Sequence, residues 1–342
     1  MTLLIEGPER SAMRIGLLTG GGDCAGLNAA IRGAVRAGSS YGDEFVGFHH
    51  GWRGVVEDES SSLTTSDTKG ILQNGGTILR TAGFHPHEHE GGVAAVIQTV
   101  ERHQLDALIV LGGDGTLDSA NHLAELGVPI VGIAKTIDND VAGTSHCIGF
   151  DTAVATAVEA VDRLQTTGES HDRLMVVEVM GRTVGWLAVC TGIAGGADAL
   201  CLPELPTDFD ELAKAVMRHH DAGSTSSVVV VAEGALGGAF LGSPDGSAGS
   251  MVSKELAQRT GYETRLTVLG HVQRGGPPTA SDRLLSTRCG VSAVDAVHAH
   301  RFATLVSIGD NSAELVSLNV VSSGARPVPE TLLRVARTMT AW

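Results

Sequence analysis

Leu111-Gly112-Gly113-Asp114-Gly115-Thr116 and Lys135-Thr136-Ile137-Asp138-Asn139-Asp140 each follow directly on an apolar run, Ala107 to Leu111 and Pro129 to Ile133. The runs have the length and branching of buried parallel strands. Both polar stretches therefore sit at strand C-termini, and Leu117 to Leu126 between them reads as a crossover helix that brings both loops to one sheet edge. Open α/β sheets bind ligands at that edge. Glycines 112, 113 and 115 let backbone N–H groups approach a polyphosphate closely, and the following helix N-terminus favours an anion. Asp114 makes chemical sense beside phosphate when Mg²⁺ lies between them, so Asp114 and Asp140 are candidate Mg²⁺ carboxylates, direct or through water. Asp138 is left as the candidate general base for a substrate hydroxyl. The plainer reading is a tight βα turn and a capped loop; the two motifs together favour the chemical one.

With 342 residues, the chain has room for two domains or one large one. Forty-five glycines and a 42% hydrophobic content fit an α/β enzyme and not a fibrous or disordered chain. The balance of 24 basic against 39 acidic residues gives a formal charge of −15, which provides no electrostatic footprint for nucleic acid or an anionic membrane. Any bound phosphate must be met by a local basic cluster. No apolar run approaches membrane-spanning length and Met1 to Ala12 lacks a signal-peptide core, so a cytoplasmic location is expected. The five cysteines, Cys24, Cys147, Cys190, Cys201 and Cys289, are odd in number and scattered, as free thiols in a reducing compartment would be.

Residues Met1 to Met13 read as a polar leader, and Arg14 to Thr19 as the first strand. Gly20-Gly21-Gly22-Asp23-Cys24-Ala25-Gly26 and a helix through Arg36 then form a phosphate cradle that is neither Walker A nor a dinucleotide fingerprint. Gly75 to Phe84 is a second Gly/Thr loop in which Arg80 is placed to meet phosphate. It runs into His85-Pro86-His87-Glu88-His89, read as a solvated surface loop, with a transition-metal site on a strand-like segment as the alternative. Asp151 to Gln165 reads as a long amphipathic helix with a structural Asp162-Arg163 pair, and Leu174 to Val179 as a strand ending in Met180-Gly181-Arg182. Further strands are expected near Ala199 to Leu202 and over Ser227 to Ala232, the latter delivering Glu233 either to a substrate hydroxyl or as a helix cap. Leu236 to Gly249 reads as a flexible loop, and Thr264 to Leu269 as a strand leading into Gly270-His271-Val272-Gln273-Arg274-Gly275-Gly276. With Arg265, this run gathers cationic groups suited to a phosphate monoester. Ser281 to His300 reads as a helix, Thr304 to Ile308 as a strand and Pro329 to Met339 as a closing helix. The alternation implies an α/β protein with parallel sheets and a cleft between two lobes.

In this order, Gly-Gly-Asp-Cys-x-Gly-x-Asn, Gly-Gly-Asp-Gly-Thr, Lys-Thr-Ile-Asp-Asn-Asp, Glu-Val-Met-Gly-Arg and Gly-His-x-Gln-Arg-Gly-Gly closely resemble 6-phosphofructokinases of the bacterial type, from about Arg14 to about His300. NAD kinases resemble only the Gly-Gly-Asp-Gly-Thr loop, which excludes them. The resemblance implies two Rossmann-like lobes with parallel-dominated sheets. Residues 1–149 with about 273–315 would bind ATP and Mg²⁺, and 150–272 with about 316–342 would bind the sugar phosphate. It implies Asp138 as the base for the sugar 1-hydroxyl and Arg182 beside the transferred phosphoryl group. Thr136, Met180, Gly181 and Glu233 match sugar contacts, and Arg173, Arg265, His271 and Arg274 match the sugar 6-phosphate pocket. In the family Arg173 and Arg265 come from a neighbouring subunit, which implies a homodimer or homotetramer. Gly22, Arg80, Gly83, Phe84, Gly113, Gly115, Thr116 and Lys135 fall on the donor side.

The implied activity is phosphoryl transfer from ATP to fructose 6-phosphate. Gly115 resembles ATP users while Lys135 resembles the pyrophosphate type, a mixture similar to the actinobacterial branch. Pyrophosphate as donor, sedoheptulose 7-phosphate or allulose 6-phosphate as acceptor, and a catalytically weak regulatory paralogue are the alternatives. Three departures stand out. The loop that usually reads Gly-Ser/Thr-Ala/Ser-Arg is Arg80-Thr81-Ala82-Gly83 here, Ala25 replaces a usual Pro, and Gln165, Gly223 and Thr225 stand near places of basic effector-pocket residues. Little regulation by ADP or phosphoenolpyruvate is therefore expected.

Overall fold

The structure is a computed structural model that describes residues 11–243, 246–309 and 313–340. The expected leader lies mostly outside the described residues, as does part of the expected loop Leu236 to Gly249. The chain divides into two compact units. One holds the residues up to Thr136, Val141–Ile148 and Ala280–Gly324; the other holds Ile137–Asp140, Gly149–Thr279 and the residues from Ala325 onward. The four residues around Asp138 thus go with the second unit.

The first unit carries strands β1 (Arg14–Thr19), β2 (Glu44–Phe48), β3 (Ser60–Ser62), β4 (Ala107–Gly112), β5 (Ile130–Ala134), β10 (Thr304–Ile308) and β11 (Ala313–Ser317) in one sheet of order β11-β10-β5-β4-β1-β2-β3. Only the two edge strands, β3 and β11, pair antiparallel. Every residue of β4 and β5 is buried, as their uninterrupted apolar sequences require. Helices α1 (Leu27–Ser39), α2 (Trp52–Val56), α3 (Gly92–Arg102), α4 (Asp114–Glu125) and α9 (Ala280–His298) complete the unit. Helices α1 and α9 approach so closely that a Cβ at Gly33 would lie 2.7 Å from the Thr287 carbonyl oxygen. Helix α4 begins at Asp114, three residues before the expected Leu117. Gly113 is its extended N-cap residue and Asp114 lies in its first turn, where the helix dipole favours an acid.

Register aligns three strand ends. Thr19 faces Leu111 and Gly112 faces Ala134, and Gly20 N–H donates to the Leu111 carbonyl while Lys135 N–H donates to that of Gly112. The loops after β1, β4 and β5 therefore leave the sheet side by side.

The second unit carries β6 (Leu174–Val179), β7 (Ala199–Cys201), β8 (Ser227–Ala232) and β9 (Thr264–Val268) in an all-parallel sheet of order β7-β8-β6-β9. Its helices are α5 (Phe150–His171), α6 (Trp186–Ala194), α7 (Phe209–Asp221), α8 (Ala248–Thr260) and α10 (Glu330–Met339). Three expectations need correction. Helix α5 runs to His171, and Arg163 pairs with Glu159 one turn back instead of with its neighbour Asp162, because adjacent helical residues do not face each other. The stretch expected as a loop to Gly249 ends at Ser247, which opens α8 with a reciprocal Ser247–Ser250 capping box. In the histidine-rich segment the surface-loop reading stands, with a 3-10 turn at Pro86–Glu88, and the correction falls on the strand-like alternative. Among the described residues, no helix is long and apolar enough to cross a membrane.

Candidate active site

The candidate donor residues of the first unit lie in its three aligned loops and in the segment Thr77 to His89. Lys135 is 2% exposed, and its ammonium donates to the carbonyls of Gly20 and Gly22, at 2.7 Å for Gly20. It braces the first glycine loop from beneath, so the loop's carbonyls turn toward the buried cation. A Cβ at Gly20 would lie 2.6 Å from the Thr116 side chain, and Gly112 leaves room for the same side chain, which is buried between them. Trp52 Nε1–H donates to the Thr116 carbonyl at 3.0 Å, fixing the first turn of α4. Gly113 and Gly115 lie in this turn, and Asp114 is exposed there.

The second glycine loop packs on the first. Gly21 N–H donates to the Ala82 carbonyl at 3.1 Å, Thr81 Oγ1–H to that of Gly21, and Thr19 Oγ1–H to that of Arg80 at 2.8 Å. Arg80 holds a left-handed φ of 57°, is exposed, and its Nη1 lies 3.5 Å from His50 Nε2. Gly83 is also exposed, and a Cβ built there meets nothing within 4 Å. Phe84 stacks on His89 with ring centroids 4.3 Å apart. The residue that sequence reading overlooked here is His85. Its Cε1 would lie 2.7 Å from a Cβ at Gly115, its Nδ1 is 3.2 Å from Ser119 Oγ, and Ser119 Oγ–H donates to the Gly115 carbonyl. The space that glycine leaves is thus taken by an imidazole. Among the described residues, no group of three or more His, Cys, Asp or Glu side chains could hold a metal ion, the histidine-rich segment included.

In the second unit the parallel register brings Met180, Gly181, Arg182, Glu233, His271 and Arg274 to the C-terminal end of the sheet. Glu233 Oε1 accepts from the N–H groups of Gly181 (3.1 Å) and Arg182 (2.8 Å). This tether holds a turn that only unusual backbone can make, with φ of 136° at Gly181 and 51° at Arg182. Both the hydroxyl-ligand and the cap expectations for Glu233 missed this tethering role, because the turn it holds is distant in sequence. His271 and Arg274 follow on a 3-10 turn, Gly270–Arg274.

Asp138 and Asp140, 3% and 5% exposed, belong to the same unit. Burial first, then the neighbouring Asp140 and Glu233 carboxylates, push the Asp138 carboxyl up to about 6, against the opposing pull of Arg274 and Arg182. Such a group is ionised at neutral pH yet basic enough to take a proton. Asp140 is the buried one of the two Mg²⁺ candidates, and a cation beside it would relieve its repulsion with Asp138. Asp140 is the nearer of the two Mg²⁺ candidates to Asp138 in sequence, and the exposed Asp114 stands in the first unit.

Arg173 and Arg265 are not with this group. They lie at the opposite, N-terminal end of β6 and β9, where both pair with Glu263, Arg173 at 3.0 Å. Seven residues of strand separate Arg173 from Met180, roughly 23 Å. Thr136 stays with the first unit, its N–H donating to the Ile148 carbonyl.

Comparison with known proteins places the chain in a family. The sequence profile of a family described as Phosphofructokinase matches residues 14–297. A pyrophosphate–fructose 6-phosphate 1-phosphotransferase of Amycolatopsis mediterranei is 46% identical over 93% of this chain and 96% of its own. ATP-dependent 6-phosphofructokinase 3 of Streptomyces coelicolor is likewise 46% identical, over 93% of this chain and 97% of its own. The crystal structure of Pichia pastoris phosphofructokinase in the T-state superposes with a TM-score of 0.85 at 34% identity, covering 96% of this chain but only 37% of the longer yeast chain. With its motifs in order, its two mostly parallel sheets and these relatives over nearly its full length, the chain belongs to the phosphofructokinase family.

Proposed function

We propose that the chain transfers a phosphoryl group from ATP to the 1-hydroxyl of fructose 6-phosphate. The observation that carries this reading is the Asp138 carboxyl, buried, raised to about 6 and set between like charges and the cations Arg182 and Arg274. Relatives that are named for this acceptor support it. On this reading the glycine loops after β1 and β4, with Gly22, Gly113, Gly115 and the backbone at Thr116, hold the donor phosphates, and Lys135 keeps the first loop open to them. Asp114 and Asp140 are the candidate carboxylates that would hold Mg²⁺, and the ion would supply charge neutralisation to the donor phosphates. Asp138 accepts the hydroxyl proton, Arg182 stabilises the charge that develops, and Glu233 keeps Arg182 in place. His271 and Arg274 take the 6-phosphate.

The same reading includes self-association. Arg173 and Arg265 lie at the wrong end of their own sheet for the 6-phosphate, so a second copy would have to supply them. The edge strand β9 leaves Leu266 36% and Val268 50% exposed, and Val272 just beyond it 62%, an apolar border that a second copy would cover.

One observation favours pyrophosphate as the donor instead: His85 fills the space that Gly115 would otherwise leave beside the donor loop. A coupled assay with ATP and pyrophosphate in parallel, against fructose 6-phosphate, sedoheptulose 7-phosphate and allulose 6-phosphate, tests donor and acceptor together. Turnover with ATP and fructose 6-phosphate is expected to be the highest. Sugar-phosphate binding without turnover on any pair would favour a regulatory paralogue.

A further inference from the structure

The loop Ile137–Asp140 has almost no regular structure of its own to hold it. Asn139 sits at a left-handed φ of 55°, a backbone conformation that its surroundings have to enforce. The enforcement comes from 186 residues further along the chain, in the segment between Gly324 and α10. Arg326 N–H donates to the Asp140 carbonyl at 2.6 Å, and Arg326 Nη2 donates to the Asn139 carbonyl at 2.7 Å. Two successive carbonyls of the loop are thereby gripped by one residue.

Arg326 is itself held. Its guanidinium carbon lies 4.1 Å from the centroid of the Trp186 ring, and Trp186 Nε1–H donates back to the Arg326 carbonyl at 3.0 Å. Trp186 is buried at the first position of α6, with Phe150 edge-on against it. A planar guanidinium can stack on an indole and still direct N–H groups outward in its own plane, which an ammonium cannot do. Every member of this chain of contacts, from α6 through Trp186 and Arg326 to Asn139 and Asp140, lies in the second unit.

We propose that Arg326, clamped on Trp186, is a positioning residue for phosphoryl transfer that fixes the two residues immediately after Asp138, and through them the backbone that carries the Asp138 side chain. It touches no reacting atom. The proposal rests on Asp138 being the base, and it deepens that reading by naming what aims the base. A catalytic carboxylate displaced by about 1 Å loses on the order of 10²-fold in rate, whereas a remote stabilising contact changes melting temperature and leaves turnover per folded molecule alone.

The test compares Arg326→Ala, Arg326→Lys, Trp186→Phe and Asp138→Asn with the parent protein. Steady-state kinetics are measured with fructose 6-phosphate and the better of the two donors, normalised to folded protein. Arg326→Ala is expected to lower kcat about 10²-fold with the KM for the sugar phosphate within about threefold. Added guanidinium ion is expected to restore part of kcat, and Arg326→Lys to stay near the alanine variant. The acidic limb of the kcat profile supplies a further readout. Asp140, Glu233, Arg274 and Arg182 are charged groups that act on the Asp138 carboxyl. Arg326→Lys keeps the positive charge, so a moved limb in that variant reports a displaced carboxylate and not a lost charge. If Arg326→Ala fails to fold, Trp186→Phe, which keeps a ring but removes the N–H donor, is expected to lower kcat about three- to tenfold with the same moved limb. Unchanged kcat and limb in the folded Arg326 or Trp186 variants, beside an inactive Asp138→Asn, overturn the positioning role and leave the base standing. Full turnover in Asp138→Asn overturns the base, and this proposal with it.

Discussion

The two units build their candidate functional groups from different materials. In the first unit the site is almost all backbone: three loops level with one another, glycines where side chains would collide, the Thr116 side chain turned inward and a single buried lysine beneath. In the second unit it is almost all side chain, with two buried carboxylates, Glu233 holding a strained turn, and arginines at a sheet end. A backbone-built anion site tolerates exchange of the side chains around it, since N–H groups remain whatever the residue. The contrast gives the Arg80/Gly83 exchange a physical setting, because it falls in the first unit, where the loops' own peptide groups persist. A side-chain site has no such reserve.

The largest expected effect tests the second half of that contrast. Asp138→Asn should lower kcat by about 10² to 10⁴-fold while sugar-phosphate binding persists. It should also stabilise the protein. Because the folded carboxyl is raised to about 6 from an ordinary value near 4, its share of stability is complete below that ordinary value and is lost as pH rises through 6. The asparagine variant should therefore gain about 2 to 3 kcal/mol over the parent above pH 6 and nothing at pH 4, as chemical denaturation at the two pH values would show. An equal difference at both pH values would contradict the burial argument.

Next in size is Lys135→Met, which asks whether the backbone half depends on its buried cation. Two carbonyls would lose a charged partner, at about 1.5 to 3 kcal/mol each before relaxation. The KM for the donor should rise at least tenfold with that for the sugar phosphate little changed. Equal changes in both would dissolve the distinction between the units.

Glu233→Gln and Arg182→Met sharpen the electrostatic side. Glu233 raises the Asp138 carboxyl and Arg182 lowers it, so the acidic limb of the rate profile should move to lower pH in the first variant and to higher pH in the second. Each should also lose about tenfold or more in kcat. Limbs that stay in place in both variants would show that burial alone governs Asp138.

The smallest effect is expected from Gly83→Arg, since the position is open and an arginine there displaces nothing. The KM for the donor should fall a few-fold, with an unchanged melting temperature. By contrast Gly115→Asp meets His85, so it should be tolerated only together with His85→Ala; activity of the single variant at parental level would remove His85 from the donor site.

Much of this was legible in the sequence, and for a physical reason. Strands such as Leu174–Val179 and Ser227–Ala232 are unbroken apolar runs that no other element explains, and loops following them inherit their place at the sheet edge. The unseen parts depend on contacts between distant residues. Nothing local distinguishes Glu233 as the tether of Gly181 and Arg182, or Arg326 as the grip on Asn139 and Asp140. The histidine at 85 was legible as a possible ligand, but its place over Gly115 follows from the packing of one loop on another. The start of α8 was hidden by its Gly/Ser-rich approach, although Ser247 and Ser250 have the spacing of a reciprocal cap.

Strand β10 pairs with β5 through Thr304–Val131, Leu305–Gly132 and Val306–Ile133. The ribosome has to make most of the other unit between these partners, some 170 residues by the numbering, which takes roughly ten to thirty seconds at common elongation speeds. Throughout that interval the nascent chain carries β5 with one flank of peptide groups unmatched, the kind of open border that invites pairing with another molecule. The connectivity thus leaves this border unpaired until the late strand has been made.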